Sequence, residues 1–185
     1  MKMTSGELNK LIREMIKNGK ANKIDSREPR GKEYIYFAYG SNMDIAQMKR
    51  RCPQAIPLTK ATLYNAKLVF KKYADVENER KRRSFVQGAL YSITKKDMDA
   101  LDRYEGYPIF YKKVKCVVQG PFNNYYKAFM YVMQKGVREY ELPSEEYFNT
   151  IATGYNDWKL SIVPLCKAWE DMAVKLGRLE KMEVR

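Results

Sequence analysis

The chain has 185 residues, 45% of them hydrophobic and 13% aromatic, which is enough for one domain with a core and appendages and excludes a disordered protein. Its 35 basic and 22 acidic side chains give a formal charge of +13, which points either to an acidic or nucleic-acid partner or to lysines that solvate the surface. There is no histidine, which excludes Ser-His-Asp and Cys-His catalysis and the usual zinc ligands.

Acid–base chemistry therefore falls to a carboxylate, a Lys, a Tyr or a Cys. Cys52, Cys116 and Cys166 are odd in number and far apart. They fit neither a disulfide framework nor a metal site, so reduced thiols in a cytoplasmic protein are expected. No apolar run approaches membrane-spanning length and the N-terminus is polar, so no membrane association and no leader are expected.

Residues 1–33 read as an appendage. Thr4-Ser5-Gly6-Glu7 has capping-box spacing, and Leu8, Leu11, Ile12, Met15 and Ile16 fall on one helical stripe. Asn18-Gly19 ends that helix, and a polar linker with Pro29 and Gly31 follows.

Tyr34-Ile35-Tyr36-Phe37-Ala38-Tyr39 reads as a buried strand that turns sharply at Gly40-Ser41-Asn42. Residues 44–51 read as a short helix capped by Ser41 or Asn42. A strand turning on glycine into a helix start aims several backbone N–H groups one way, which suits an oxyanion or a carboxylate. An ordinary strand–turn–helix is the plainer reading of the same triplet.

Cys52-Pro53 and Pro57 mark a loop, and residues 61–70 read as one strand with Thr62, Tyr64, Ala66, Leu68 and Phe70 on one face. Residues 71–84 form a charged insertion, with Lys71, Lys72, Arg80, Lys81, Arg82 and Arg83 against Asp75, Glu77 and Glu79. Tyr73 is its only aromatic, too few for base stacking, so a solvated hairpin loop is expected. A third strand covers 84–93, where Gly88 marks a bulge or a close backbone approach.

Thr94-Lys95-Lys96-Asp97 opens a helix with Met98, Leu101 and Tyr104 on its inner side, and Gly106 suits a left-handed cap. Strands at 111–119 and 127–134 follow, the second apolar on both faces and hence central. A helix opens at Pro143-Ser144-Glu145-Glu146 and stops at Gly154, and residues 158–176 form a helical tail with Pro164 at a kink or first turn. Strands outnumber core helices without βαβ alternation, so the expected class is α+β with a small mixed β-barrel and flanking helices.

Glu105 is the most informative charge. It ends a predicted helix, where the macrodipole disfavours a carboxylate, among Tyr104, Tyr107, Ile109 and Phe110. If buried, it has a raised pKa useful to a general base, whereas pointing into water it does nothing.

These segments together resemble the γ-glutamylcyclotransferase family, whose relatives include the butirosin-pathway cyclotransferase and the avirulence-induced-gene-like proteins. Phe37-Ala38-Tyr39-Gly40-Ser41-Asn42-Met43 is similar to the family's YGSN signature, and Leu101-Asp102-Arg103-Tyr104-Glu105-Gly106 to its LDxxEG segment. The resemblance covers about 34–162, with 163–185 as a helical extension. It implies the family's small barrel and release of 5-oxoproline and a free amine from a small-molecule γ-glutamyl amide, with no metal or cofactor. It casts Glu105 as the general acid/base, and Tyr39, Gly40, Ser41, Asn42, Met43, Tyr111, Tyr131 and Tyr147 as substrate-binding. Packing within the strands is the plainer role for these tyrosines, and Ser41 has no base to make it a nucleophile. A non-catalytic binding or regulatory module on the same fold is the alternative. No nucleic acid is expected, because no groove-reading or single-strand signature is present. Monomer and homodimer both stay open.

The five-residue stripe of the N-terminal segment contributes modestly to burial. A chain beginning near Lys32 is therefore expected to stay soluble and folded by circular dichroism. An insoluble product would place that stripe in the core or in an oligomer interface.

Overall fold

The computed structural model describes residues 32–79 and 84–178. The expected N-terminal helix, its linker, and Arg80, Lys81, Arg82 and Arg83 lie outside the described residues. In chain order the elements are β1 (Tyr34–Ala38), a 3-10 turn (Ser41–Met43), α1 (Ile45–Arg51), β2 (Ile56–Tyr64), β3 (Ala66–Lys71), β4 (Tyr73–Asn78) and β5 (Phe85–Ile93). There follow α2 (Lys95–Glu105), β6 (Tyr111–Gln119), β7 (Tyr125–Met133), α3 (Glu145–Asp157) and α4 (Val163–Lys175).

The order β1-β5-β2-β6-β7 closes a barrel, so the fold is α+β with a mixed five-stranded barrel. β1 runs antiparallel to β5 and parallel to β7, with Tyr36 opposite Phe129. β7 is thus paired on both edges, as its two apolar faces require. Phe37, Leu90 and Leu101 are fully buried in the core. At Gly88 an added Cβ would stand 2.3 Å from the Ala38 carbonyl oxygen, so β5 passes β1 at a distance only glycine allows.

Four expectations are corrected. The strand expected over 61–70 is two strands, because Asn65 takes a left-handed φ of 57° that turns the chain, a conformation asparagine tolerates. Pro57 lies inside β2, where the register against β5 shifts between Pro57 and Thr59. The charged insertion holds strand β4, paired with β3. Asp75 is only 1% exposed there, and the Lys71 ammonium donates to it at 2.8 Å and lies 3.1 Å from Glu77. Matched charges let this strand leave water. Lastly, α3 runs through Gly154 to Asp157.

α4 lays Leu165, Ala168 and Met172 into the core and packs on β3, with Pro164 accommodated in its first turn. Among the described residues no helix is long and apolar enough to cross a membrane.

Gly154 is buried in mid-helix for a packing reason. A Cβ there would meet the Met43 Cβ at 2.5 Å and the Asp44 nitrogen at 2.7 Å. Gly154→Ala is expected to cost about 1–3 kcal/mol by overpacking, outweighing the gain in helix propensity. Denaturant melts would measure it, and an unchanged midpoint would show that α3 can retreat from the turn freely.

Candidate active site

The turn after β1 and the end of α2 meet at one end of the barrel. The first bond of the 3-10 turn runs from the Met43 N–H to the Gly40 carbonyl at 2.9 Å. The amides of Ser41 and Asn42 precede it and so have no partner within the turn. α1 is capped by Asp44, whose carboxylate accepts from the Gln47 N–H at 2.8 Å, and not by Ser41 or Asn42. The helix begins at Ile45, so the capping position falls on residue 44, and Ser41 and Asn42 lie in the preceding 3-10 turn.

The Asn42 Nδ2 donates to the Glu105 Oε1 at 3.0 Å and to the Tyr36 hydroxyl at 3.0 Å. The Arg51 guanidinium donates to the Asn42 Oδ1 at 2.5 Å and to the Ser41 Oγ at 3.3 Å. A guanidinium can only donate, so it must face the amide oxygen and leaves the amide nitrogen to Glu105. The Tyr104 ring lies 3.4 Å from the Arg51 guanidinium carbon and is 51% exposed, covering Arg51 from outside instead of facing inward as expected.

Glu105 closes α2, with Gly106 in a left-handed cap at φ 62°. Burial is the largest influence on its carboxyl and pushes the pKa up to about 7, against the lowering pull of Arg51 and the Asn42 amide. The group sits at the wall of a cavity of about 440 Å³ and is the only carboxylate lining it among the described residues. Tyr39, Gly40, Ser41, Asn42, Tyr111, Tyr131 and Tyr147 line the same cavity. Met43 does not. It is fully buried beneath the turn, where its carbonyl accepts from the Trp158 indole at 2.8 Å.

Three of these tyrosines spend their hydroxyls on the protein. Tyr39 donates to the Tyr131 carbonyl at 2.5 Å, Tyr131 to the Asp102 Oδ1 at 2.5 Å, and Tyr111 to the Ala74 carbonyl at 3.3 Å. Tyr147 instead accepts from the Ala74 N–H at 3.2 Å. They form walls. Tyr36 differs: its hydroxyl accepts from Asn42, and among the described residues no acceptor takes its own proton. Burial raises its pKa well above the ordinary range, so the hydroxyl stays a donor facing the cavity.

Tyr36, Arg51, Tyr73, Arg103 and Arg138 are members of the site or its support that sequence reasoning missed. Tyr36 had a signal, since it is a tyrosine of the opening strand three residues before Tyr39. Arg51 had none, because its reach back to Asn42 depends on how α1 folds over the turn. Cys52 and Cys116 lie outside the cavity, and burial pushes both thiols up to about 12. Among the described residues no cluster of His, Cys, Asp or Glu could hold a metal ion.

The molecule is thus a closed-barrel α+β protein with Glu105 at the wall of its cavity. It belongs to the family described as gamma-glutamyl cyclotransferase, AIG2-like, whose model matches residues 36–158. A solved structure named gamma-glutamyl cyclotransferase aligns with a TM-score of 0.65 at 22% identity, covering 76% of this chain and 86% of that one. An uncharacterised protein from Homo sapiens aligns with a TM-score of 0.65 at 23% identity, covering 83% and 91%. YkqA from Bacillus subtilis aligns with a TM-score of 0.62 at 21% identity, covering 86% of this chain and 58% of that one. At these identities the likeness is one of fold. No curated protein matches the chain.

Glu105 gains a proton on folding between its unfolded value of 4.5 and its folded value of about 7. Its contribution to stability is therefore full below the unfolded pKa and is lost as pH rises through the folded one. Glu105→Gln removes this loss. The variant is expected to exceed the wild type by about 1–3 kcal/mol near pH 8 and to match it near pH 4. Parallel thermal melts across pH would read it, and a pH-independent difference would mean that Glu105 is not buried as a charge.

Proposed function

We propose that this protein is a γ-glutamyl cyclotransferase that releases 5-oxoproline and a free amine from a γ-glutamyl amide, with Glu105 as general acid/base. The observation that carries the reading is the position of Glu105. A carboxylate with a pKa near 7 lines one cavity together with Ser41, Asn42 and Tyr36, and it accepts from the Asn42 side-chain amide.

In this reading the glutamyl α-ammonium sits against Glu105, which takes one of its protons. The freed amine attacks the γ-carbonyl of the same residue, and the new C–N bond closes a five-membered ring. The carbonyl oxygen becomes an oxyanion, which Tyr36 and the Ser41 and Asn42 amides stabilise by hydrogen bonds set in advance of the reaction. Glu105 passes its proton to the departing nitrogen as the original C–N bond breaks. The ring nitrogen then loses its surplus proton to Glu105, which hands it to the released amine. Since attacking and leaving groups are tethered, the protein supplies orientation and one proton shuttle. A buried carboxylate with a pKa near neutrality serves as both base and acid, because neither direction of transfer is strongly uphill.

Incubation with a panel of γ-glutamyl amides is expected to yield 5-oxoproline. Activity should rise with pH along a limb centred near pH 7, where Glu105 ionises. Glu105→Gln should lower turnover by about a hundredfold or more while leaving affinity for a non-cyclising glutamyl analogue nearly intact. A Gln variant as active as the wild type would remove Glu105 from the chemistry. Inactivity of the wild type across the panel would favour a binding module on this fold.

A further inference from the structure

The cavity is graded in depth. Its floor is made of Tyr36, Tyr39, Asn42 and Tyr131, none more than 6% exposed. Its mouth is made of Tyr73 at 38% and Phe110 at 48% exposure, together with Arg103 and Arg138. Glu105 and the Asn42 amide lie with the floor, so the glutamyl half of a substrate occupies the deep end. The amine half must then point out past the mouth.

Among the described residues the two arginines are the cations that line the cavity. Two lysines near the barrel are matched: Lys113 donates to Asp102 at 2.7 Å, and Lys71 to Asp75 at 2.8 Å. Neither Arg103 nor Arg138 has a carboxylate partner among the described residues. Arg138, half-buried, is held with its guanidinium 5.3 Å from the centre of the Tyr73 ring, and its donors stay uncommitted. Arg103 leaves the last turn of α2 two residues before Glu105, at a position that the LDxxEG pattern leaves open. The only carboxylate in the cavity among the described residues is Glu105, engaged with Asn42 at the floor. The mouth is therefore cationic, half-aromatic and without a counter-ion of its own.

We infer that Arg103 and Arg138 form an anion clamp at the cavity mouth that selects substrates whose amine half carries a carboxylate. The inference rests on the cyclotransferase reading for the orientation of the substrate. Guanidinium groups bind a planar carboxylate through paired N–H donors, and the partly dry rim strengthens that contact. A cationic amine meets repulsion at the same place, and a neutral one gains nothing from it. Tyr73 and Phe110 add apolar contact for the side chain between the amide and that carboxylate.

A matched pair of probes tests this, because ethylamine is alanine without its carboxylate. With Glu105→Gln to prevent turnover, calorimetry is expected to show γ-glutamyl-alanine binding about tenfold or more tighter than γ-glutamyl-ethylamide, and γ-glutamyl-putrescine weakest. Adding Arg103→Gln and Arg138→Gln should erase the preference by weakening the alanine compound alone. Adding Arg103→Glu and Arg138→Glu should turn the preference toward γ-glutamyl-putrescine. Equal affinities, a preference that survives both pairs of substitutions, or no binding of any probe would overturn the clamp. The cyclotransferase reading fails separately: clamp-dependent binding with no 5-oxoproline from the wild type would leave the clamp standing and remove the reaction. Cyclisation of both amides at equal kcat/KM would do the reverse.

Discussion

The rest of the site depends on the side-chain amide of Asn42. One face takes the Arg51 guanidinium at 2.5 Å, and the other donates to Glu105 and to Tyr36, each at 3.0 Å. Through that one group the turn after β1, the end of α1, the end of α2 and the inner face of β1 are brought into register. It also sets an electrostatic balance. Glu105 is held at the unfavourable end of its helix dipole, in a cavity that resists charge, and one amide hydrogen bond with a cation behind it keeps ionisation accessible. Burial outweighs the pull of Arg51 and of the Asn42 amide, so the Glu105 carboxyl is pushed up to about 7.

A second constraint lies beneath the turn. Met43 is packed against α3, which passes so close that only Gly154 fits, and its carbonyl is held by Trp158 just beyond the end of that helix. Ile45 adds a tie, its N–H donating to Asp157 at 3.0 Å. The turn is thus clamped from below while Gly40, Ser41 and Asn42 line the cavity. A catalytic or binding loop held in this way loses little entropy when a ligand arrives.

Charge is distributed with a purpose that the net figure of +13 hides. Several acids are used inside: Asp75 in β4, Asp102 against Tyr131 and Lys113, Asp97 in the capping box of α2. Spending acids on interior partners leaves cations unmatched at the surface, two of them at the cavity mouth. Net charge by itself therefore reports on a partner less well than the location of the unpaired charges does.

Local chemistry sufficed for much of the sequence reading. The strand–turn from Tyr34 to Asn42, the capping box at Thr94 and Asp97, the left-handed cap at Gly106 and the strand at Tyr111–Gln119 are visible because each is dictated by residues a few positions apart. Glu105 stood out for the same reason, as a carboxylate at a helix end among aromatics. Contacts distant in the chain were not legible: that Gly154 is a packing glycine and not a stop, and that β4 buries Asp75 against Lys71. The membership of Tyr36, Arg51 and Arg138 in one site also waited for the barrel to close. A propensity acts through neighbours in sequence, whereas a cavity is made where segments remote in sequence are pressed together. The kinds of residue available for chemistry were determined by the chain, and which of them face each other was decided by the tertiary structure.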